Sequence, residues 1–261
     1  QTREHGILDS REFMEESKVR RLHAHESRSD RGGWSPYPSN DDRDQGYLKT
    51  LKPKSDGQAE LMEAVDHANL VLALGPAGTG KTYLAVAKAV EALEAGKVGR
   101  IVLSRPAVEA GESIGFLPGD IGKKLAPWAR PVIDIIGKCI GAERLRAATA
   151  AGLIEAMPFT YMRGLTFDRA FVILDEAQNT TPEQIRLFTQ RMGEDVRVVI
   201  DGDIMQCDLK GDSGLDDLLD VLPHIEGISI GVVEYEIGDI ERGPITAAFA
   251  RAWEVLEDDA A

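Results

Sequence analysis

A glycine-rich segment between an apolar run and a helix-forming stretch constrains the fold of this 261-residue chain more than any other feature. Residues 75–82 read Gly-Pro-Ala-Gly-Thr-Gly-Lys-Thr and fit the pattern G-x-x-x-x-G-K-[ST] of a phosphate-binding loop, or P-loop. The run at 69–74 before it predicts a buried strand, and residues 82–94 after it predict a helix. Strand, loop and helix in this order are the context that such a loop requires.

The chemistry of the loop follows from its residue types. Glycines let backbone N–H groups converge on phosphate oxygens, because they tolerate conformations that side chains disfavour. Lys81 is suited to neutralise the β- and γ-phosphates, and the hydroxyl of Thr82 is a ligand for Mg²⁺. The candidate nucleotide-binding residues are therefore Gly75, Pro76, Ala77, Gly78, Thr79, Gly80, Lys81 and Thr82.

More apolar runs lie downstream, at residues 101–103, 171–174, 196–200 and about 228–235. Strands that are apolar throughout and separated by helices are typical of a parallel sheet covered on both faces. We therefore predict a three-layer α/β domain over residues 51–261, with a closing helix at 245–256.

Residues 1–50 differ from the rest of the chain in their dense charges of both signs and few apolar positions. They end in a turn-rich run at 32–40, which contains Gly, Ser, Pro and Asn. Such a segment buries too little apolar surface to form a core of its own. We predict a polar N-terminal tail, either flexible or packed on a neighbouring subunit.

The charge of the chain is strongly uneven. The formal net charge is −14, and the residues after 200 carry only three basic side chains against sixteen acidic ones. An acidic chain repels nucleic acid. We therefore expect any such partner to meet the balanced middle of the chain, or a surface that assembly creates.

Composition also bounds the class and location of the protein. No apolar run approaches the roughly 20 residues that a membrane helix needs, and no charged-then-apolar leader begins the sequence. Two cysteines, Cys139 and Cys207, match neither a disulfide framework nor a zinc pattern. We expect a soluble, cytoplasmic protein with no membrane partner.

Polar residues follow two of the predicted strands where the strands end. Asp175 and Glu176 come directly after the run at 171–174, and Gln206 follows the run at 196–200. An acidic pair after a strand is often only the end of that strand. Behind a P-loop, it predicts Asp175 as a Mg²⁺ ligand through water and Glu176 as the group that polarises the attacking water. Because parallel strands end at one ligand crevice, Gln206 is a candidate contact for the γ-phosphate.

Several long strings in the sequence resemble the PhoH family, the phosphate-starvation-inducible P-loop ATPases. Besides the P-loop, the matching strings are 104–112, 115–120, 161–164, 175–184, and Gly202-Asp203 with Gln206 and Asp208-Leu209. The resemblance runs from about Gln58 to Trp253. It departs from the family at residues 242–244, where Arg-Gly-Pro replaces the usual Arg-His-Pro, and in its acidic C-terminal part.

The resemblance implies a RecA-like core, related to the N-terminal half of superfamily 1 helicases, and Mg²⁺-dependent ATP hydrolysis linked to RNA or another single strand. A glutamine upstream of the P-loop reads the adenine edge in related helicases, which suggests this role for Gln58. The alternative is an exposed polar residue at a helix start. The motif after the second strand contacts single strands in related helicases. Arg105 and, with it, Arg163 are therefore candidate contacts for a nucleic-acid strand. Their alternative role is in salt bridges, to Glu109 or Asp168.

RecA-like relatives also imply assembly. A single such domain leaves the γ-phosphate open on one side, and an arginine of a neighbouring subunit can close it. Arg242 is the candidate for this arginine finger, in a homo-oligomer expected to be a hexameric ring. The alternative is an intramolecular salt bridge with one of its acidic neighbours.

Three functions from different classes fit the P-loop. The first is an ATPase motor or switch that acts on RNA, with helicase activity left open. The second is a P-loop kinase of a small molecule, and the third is a nucleotide-dependent scaffold. The Asp175–Glu176 pair favours hydrolysis, because a kinase must exclude water. A guanine-specific GTPase would need an Asn-Lys-x-Asp base reader, which this sequence lacks.

Overall fold

The computed structural model describes residues 51–106, 129–209 and 211–241, together with Phe249. The predicted tail at 1–50 lies outside the described residues, and so does the predicted closing helix apart from Phe249. Arg242 also lies outside them. Within the described part of the chain, no helix is both long and apolar enough to span a membrane.

The apolar runs form one sheet in which every pair of neighbouring strands is parallel. Its strands are β1 (Leu70–Leu74), β2 (Arg100–Ser104), β3 (Ile154–Ala156), β4 (Ala170–Leu174), β5 (Arg197–Gly202) and β6 (Ile230–Glu234), in the spatial order β3-β2-β4-β5-β1-β6. Every residue of β1 and β4 is buried, as strands covered on both faces require. The predicted α/β class with a mainly parallel sheet is confirmed.

Seven α-helices surround this sheet in the described residues. They are α1 (Asp56–His67), α2 (Lys81–Glu94), α3 (Arg130–Ile140), α4 (Ala142–Ala150), α5 (Phe159–Met162), α6 (Pro182–Thr189) and α7 (Gly214–Val221). Alternate strand residues face opposite sides: Val71 and Ala73 pack with α1 to α4, whereas Leu72 and Leu74 pack with α5 to α7. Two apolar cores, one on each face, make the domain three-layered.

Strand order places three strand ends side by side. Strand β5 pairs with β1 on one side and with β4 on the other, with Leu74 opposite Gly202 and Leu174 opposite Ile200. The P-loop after β1 therefore lies one strand away from the acidic pair after β4. The acidic end of β5 lies between them.

Local sequence explains where two of the functional helices begin. Helix α6 starts with a capping box, in which the Thr181 hydroxyl accepts from the backbone N–H of Gln184 and the Gln184 side chain accepts from that of Thr181. Helix α2 instead follows Gly80, which is left-handed, and no side chain caps it. The first N–H groups of α2 are therefore donors for an anion.

Candidate active site

The P-loop backbone has the conformation that its glycines permit. Gly75, Gly78 and Gly80 have φ angles of 132°, 89° and 92°, all in a region that L side chains rarely adopt. A Cβ atom at Gly75 would overlap the backbone carbonyl of Tyr235, which follows β6. Gly75 is therefore required both by backbone conformation and by the close passage of a neighbouring chain segment.

Lys81 is buried and folded onto the loop that precedes it. Its Nζ donates to the carbonyl oxygens of Gly75 at 2.6 Å and Pro76 at 2.8 Å, and the residue is 7% exposed. Burial lowers the pKa of Lys81, and nearby carboxylates act in the opposite direction; these are Asp201, Asp203, Glu176 and Asp175. The ammonium group is thus held against the loop by contacts that phosphate oxygens can replace.

Thr82 and Asp175 lie together, as the sequence predicted for a metal site. The Thr82 hydroxyl donates to Asp175 Oδ1 at 3.0 Å, and Asp175 is buried. Hydroxyl and carboxylate oxygens suit Mg²⁺, which binds proteins through few side chains and completes its shell with water and phosphate. In the described part of the chain, no group of three or more His, Cys, Asp or Glu side chains could hold a metal alone. The pair therefore fits a metal that arrives with a nucleotide.

Glu176 has both carboxylate oxygens engaged by side chains. Oε1 accepts from an Arg105 guanidinium nitrogen at 3.1 Å, and Oε2 accepts from Gln178 Nε2 at 2.6 Å. The backbone of Glu176 is left-handed, with φ 58° and ψ 46°. Each carboxylate oxygen keeps a second lone pair, and 37% of the side chain is exposed, so Glu176 can accept from a water while Arg105 and Gln178 hold its position.

Arg105 therefore belongs to the acidic pair rather than to an open surface. Besides its bond to Glu176, its other terminal nitrogen lies 3.5 Å from Asp175 Oδ2, and about one third of its side chain is exposed. The expected alternative of a salt bridge is realised, but neither Glu109, which is outside the described residues, nor Asp168 is the partner seen.

Sequence reasoning missed two buried residues that support the acidic pair. The first, Asp201 at the end of β5, is 2% exposed; its Oδ1 accepts from Glu176 N at 3.3 Å, and its Oδ2 has no hydrogen-bond partner among the described atoms. Burial, together with the neighbouring carboxylate of Asp175, raises the pKa of Asp201 well above its usual range. The available signal was an acidic residue that ends an apolar strand between the two functional strands.

The second, Gln178, links Glu176 to the loop after β5. Its Oε1 accepts from Asp203 N at 3.1 Å, and its Nε2 lies 3.5 Å from the carbonyl of Gln206 in addition to its bond with Glu176. Gln206 itself lies in a short 3-10 turn, Ile204–Gln206, with an exposed side chain. Gln206 thus lies in the loop that Gln178 connects to Glu176. A contact between Gln206 and a γ-phosphate stays a prediction.

Gln58 lies beneath the P-loop and is buried, so the alternative of an exposed polar residue does not apply. Its Nε2 donates to the Thr79 carbonyl at 2.9 Å, and its Oε1 accepts from Lys54 N at 3.0 Å. Both polar groups of the Gln58 side-chain amide thus form hydrogen bonds with the protein backbone. Recognition of adenine by Gln58 stays a prediction.

Tyr235 is a third buried residue that sequence reasoning missed. Its ring centroid lies 5.9 Å from Lys81 Nζ, within the range of a cation–π contact, and its backbone N–H donates to the Leu74 carbonyl at 2.7 Å. Burial raises the pKa of Tyr235, and its hydroxyl has no hydrogen-bond partner among the described atoms. The tyrosine thus forms part of the floor under the loop.

The structure brings together most, but not all, of the predicted site residues. Lys81, Thr82, Asp175 and Glu176 meet at adjacent strand ends, with Arg105 in contact with the two carboxylates. Arg163 instead lines an exposed groove beside α6 and has no ion pair within the described residues. Arg242 lies outside the described residues.

Comparison with known proteins gives a consistent result. The family model described as "PhoH-like protein" matches residues 50–254. A PhoH-like protein of Bacillus subtilis (strain 168) is 47% identical over 208 residues, covering 79% of this chain and 65% of the relative. The protein PhoH of Escherichia coli (strain K12) is 41% identical over 207 residues, covering 78% of this chain and 58% of the relative. The chain thus spans less than two thirds of the length of these curated relatives.

Solved structures show only distant likeness. The large terminase of a thermophilic bacteriophage has a TM-score of 0.43 and 10% sequence identity, covering 74% of this chain and 48% of the terminase. A likeness at this level carries no conclusion about this chain.

Proposed function

The chain belongs to the PhoH family, and on this premise we propose that it binds ATP with Mg²⁺ and hydrolyses it in a reaction coupled to single-stranded RNA. The observation that carries the proposal is the meeting of Lys81, Thr82, Asp175 and Glu176 at neighbouring strand ends. A P-loop with a metal-binding carboxylate and a water-polarising carboxylate is the equipment of phosphoanhydride hydrolysis.

Each residue has a defined task in this proposal. The first N–H groups of α2 and the P-loop backbone bind the phosphates, and Lys81 exchanges the carbonyls of Gly75 and Pro76 for phosphate oxygens. Thr82 and Asp175 hold Mg²⁺, which supplies charge neutralisation when it is bound. Glu176 accepts the proton of the attacking water.

In this proposal Arg105 and Gln178 limit the rate of hydrolysis, because they restrain the Glu176 carboxylate. Each of them occupies one acceptor site on a Glu176 oxygen, so loss of either contact makes the carboxylate more available as a base. An arginine suits this position because its guanidinium binds carboxylates and phosphates alike. Competition by a strand phosphate for Arg105 would free Glu176, which would couple strand binding to turnover.

Phosphate release is the experiment that tests this function. The protein is assayed with ATP in the presence and absence of Mg²⁺, then with single-stranded RNA, single-stranded DNA, or a panel of small hydroxyl compounds. We expect Mg²⁺-dependent release that RNA stimulates. Transfer of the phosphoryl group to a small compound would establish a kinase, and tight ATP binding without turnover under all conditions would establish a scaffold; either result contradicts the proposal.

The role of Gln58 is tested by nucleotide preference. Gln58→Ala is expected to lower the preference for ATP over GTP if the amide is released from Lys54 N and Thr79 O to read adenine. An equal loss of affinity for both nucleotides would show that Gln58 only supports the loop. The measurement is the ratio of dissociation constants for ATP and GTP.

A homo-oligomer, expected as a hexameric ring in the cytoplasm, completes the proposal. In it, Arg242 reaches the γ-phosphate on a neighbouring subunit, a contact that can be worth roughly 10³-fold in turnover. Mixing Arg242→Ala subunits with Lys81→Ala subunits tests this contact, since interfaces that pair an intact P-loop with an intact arginine should restore activity. A mixture that co-assembles and stays inactive would exclude action between subunits.

A further inference from the structure

An open groove runs along the outer side of helix α6, on the opposite face of the sheet from α1 to α4. It has a volume of about 540 Å³, and its lining includes Arg163, Gly164, Leu187 and Gln190. Gly164 has a φ angle of 80°, and no atom lies within 4 Å of the place where its side chain would begin. We call this feature the α6 groove.

Three guanidinium groups line the α6 groove against a single carboxylate, in a protein whose net charge is −14. The guanidinium groups belong to Arg163, Arg186 and Arg191, and the carboxylate is that of Glu183. Hydrogen bonds from its own backbone N–H and from the Thr181 hydroxyl lower the pKa of Glu183, so it stays ionised and offsets one of the three positive charges. A local excess of positive charge therefore remains along the rest of the groove.

The arginines of the groove are open to a new partner. Arg186 contacts Asp217 at 3.2 Å, but its side chain is 73% exposed, and such surface ion pairs are weak. Arg191 donates to the Leu165 carbonyl at 3.3 Å, while its Nε is buried without a hydrogen-bond partner among the described atoms. These contacts position the arginines without neutralising them strongly.

The shape of the groove suits a chain of phosphates better than a single anion. Its lining residues on α6 and in the turn that follows lie at helical spacing, at 183 and 184, 186 and 187, and 190 and 191. At 1.5 Å per residue, positions 183 to 190 span about 10 Å, which is longer than one phosphate group. Tyr161, in the helical turn before Arg163, is 65% exposed and offers an aromatic face on which a base can stack.

The groove is joined to the candidate active site by a short buried connection. Residues 177–180, between Glu176 and the start of α6, are all buried. They are held by hydrogen bonds from Ser213 Oγ to the Gln178 carbonyl at 2.8 Å and from Gly214 N to the Thr180 carbonyl at 2.6 Å. A ligand that shifts α6 therefore acts on the segment that carries Gln178.

We propose that the α6 groove binds the phosphodiester backbone of a single-stranded nucleic acid, with Arg163, Arg186 and Arg191 on the phosphates and Tyr161 stacked on a base. The proposal rests on the proposed function and gives it a specific surface. It adds strand contacts at Arg163 and its neighbours beside α6 to the competition of a strand phosphate for Arg105 at the carboxylates.

The test measures how salt weakens binding of a fluorescent 20-nucleotide single strand, by anisotropy, with RNA and DNA of one sequence. The variant is Arg163→Ala with Arg186→Ala, which spares Arg191 because that side chain also holds the Leu165 carbonyl. Each lost phosphate contact should reduce the slope of log K against log salt by about 0.7. The loss of affinity in the double variant should therefore be about 25 times greater at 0.1 M salt than at 1 M salt. Tyr161→Ala should weaken binding about fivefold or more with little change in slope.

The matched control is Lys97→Ala with Arg146→Ala, which removes two positive charges from exposed residues outside the groove. Circular dichroism melting of each variant establishes that it is folded. A reduced slope for the groove variant alone supports the proposal, whether RNA or DNA binds better. An unchanged slope in a folded groove variant, or an equal reduction in the control, would overturn the groove and leave the ATPase proposal intact. Failure of the unmodified protein to bind either strand while it hydrolyses ATP would overturn both the groove and the coupling to RNA.

Discussion

The P-loop and the α6 groove both present positive charge, and they are built in opposite ways. In the P-loop the charge is a buried lysine on a backbone whose glycines adopt left-handed conformations, over a floor that includes Gln58 and Tyr235. In the α6 groove the charge comes from arginine side chains at the surface, one on helix α6 and two on the segments beside it. A buried site is preorganised and weakly screened, whereas an exposed one is adaptable and strongly screened by salt. The P-loop therefore suits a small anion in a fixed position, and the α6 groove suits a flexible polyanion.

The largest effect that separates the two regions is expected from Glu176→Gln. General bases contribute about 10²- to 10⁴-fold, so turnover should fall by about that factor while ATP still binds, because the amide keeps the shape of the side chain. Steady-state phosphate release and nucleotide affinity measure the two quantities. Strand binding in the α6 groove should retain its salt dependence in this variant. Turnover near that of the unmodified protein would show that Glu176 is not the general base.

Lys81→Ala comes next, and it should weaken binding and turnover together. The lysine is the buried cation of the P-loop, and removal of one such contact costs about 10²- to 10³-fold in turnover. The same assays apply, with Lys97→Ala as an exposed lysine control. Retained affinity for ATP in the Lys81→Ala protein would contradict the exchange of loop carbonyls for phosphate.

Gly75→Ala tests whether the close passage of Tyr235 requires a glycine in the loop. The substitution places a Cβ at a φ angle of 132° and against the Tyr235 carbonyl, so the free energy of unfolding should fall by about 2 kcal/mol or more. Gly96→Ala is the matched control, because Gly96 has a φ angle of 68° and no atom near its absent side chain. Urea unfolding compares the two, and an equal loss in both would mean that the contact with Tyr235 is unimportant.

Arg105→Ala should have a smaller effect and in the opposite direction. Removing a partly exposed ion pair worth up to about 1 kcal/mol frees one oxygen of Glu176, so hydrolysis without RNA should rise about two- to fivefold. Stimulation by RNA should shrink correspondingly. Phosphate release with and without RNA measures both, and a fall in basal turnover would show that Arg105 contributes to the reaction directly.

Tyr235→Phe should have the smallest effect. The tyrosine hydroxyl is buried without a hydrogen-bond partner among the described atoms, so its removal should leave the free energy of unfolding unchanged or raise it by about 1 kcal/mol. ATP affinity should not change, because the ring that faces Lys81 remains. Tyr83→Phe, at an exposed tyrosine, is the control. Loss of ATP affinity in the Tyr235→Phe protein would assign the hydroxyl a role in the loop.

The sequence predicted five of the six strands to within about two residues, because strands buried on both faces are apolar throughout. Strand β3 was missed, since its three residues at the edge of the sheet are too few to show a pattern. The P-loop and the pair at 175–176 were predicted because each motif is local. Tyr235, Gln178 and the carboxylate partners of Arg105 were missed because these contacts join segments that only the fold brings together.

The buried segment at residues 177–180 joins the candidate active site to the α6 groove, and in our proposal it makes them parts of one equilibrium. Any change in nucleotide affinity that a bound strand produces must be matched by an equal change in strand affinity that the nucleotide produces. In that proposal, hydrolysis replaces one nucleotide with another and so also changes the affinity for the strand. Residues 177–180 would then transmit free energy in both directions between the two sites.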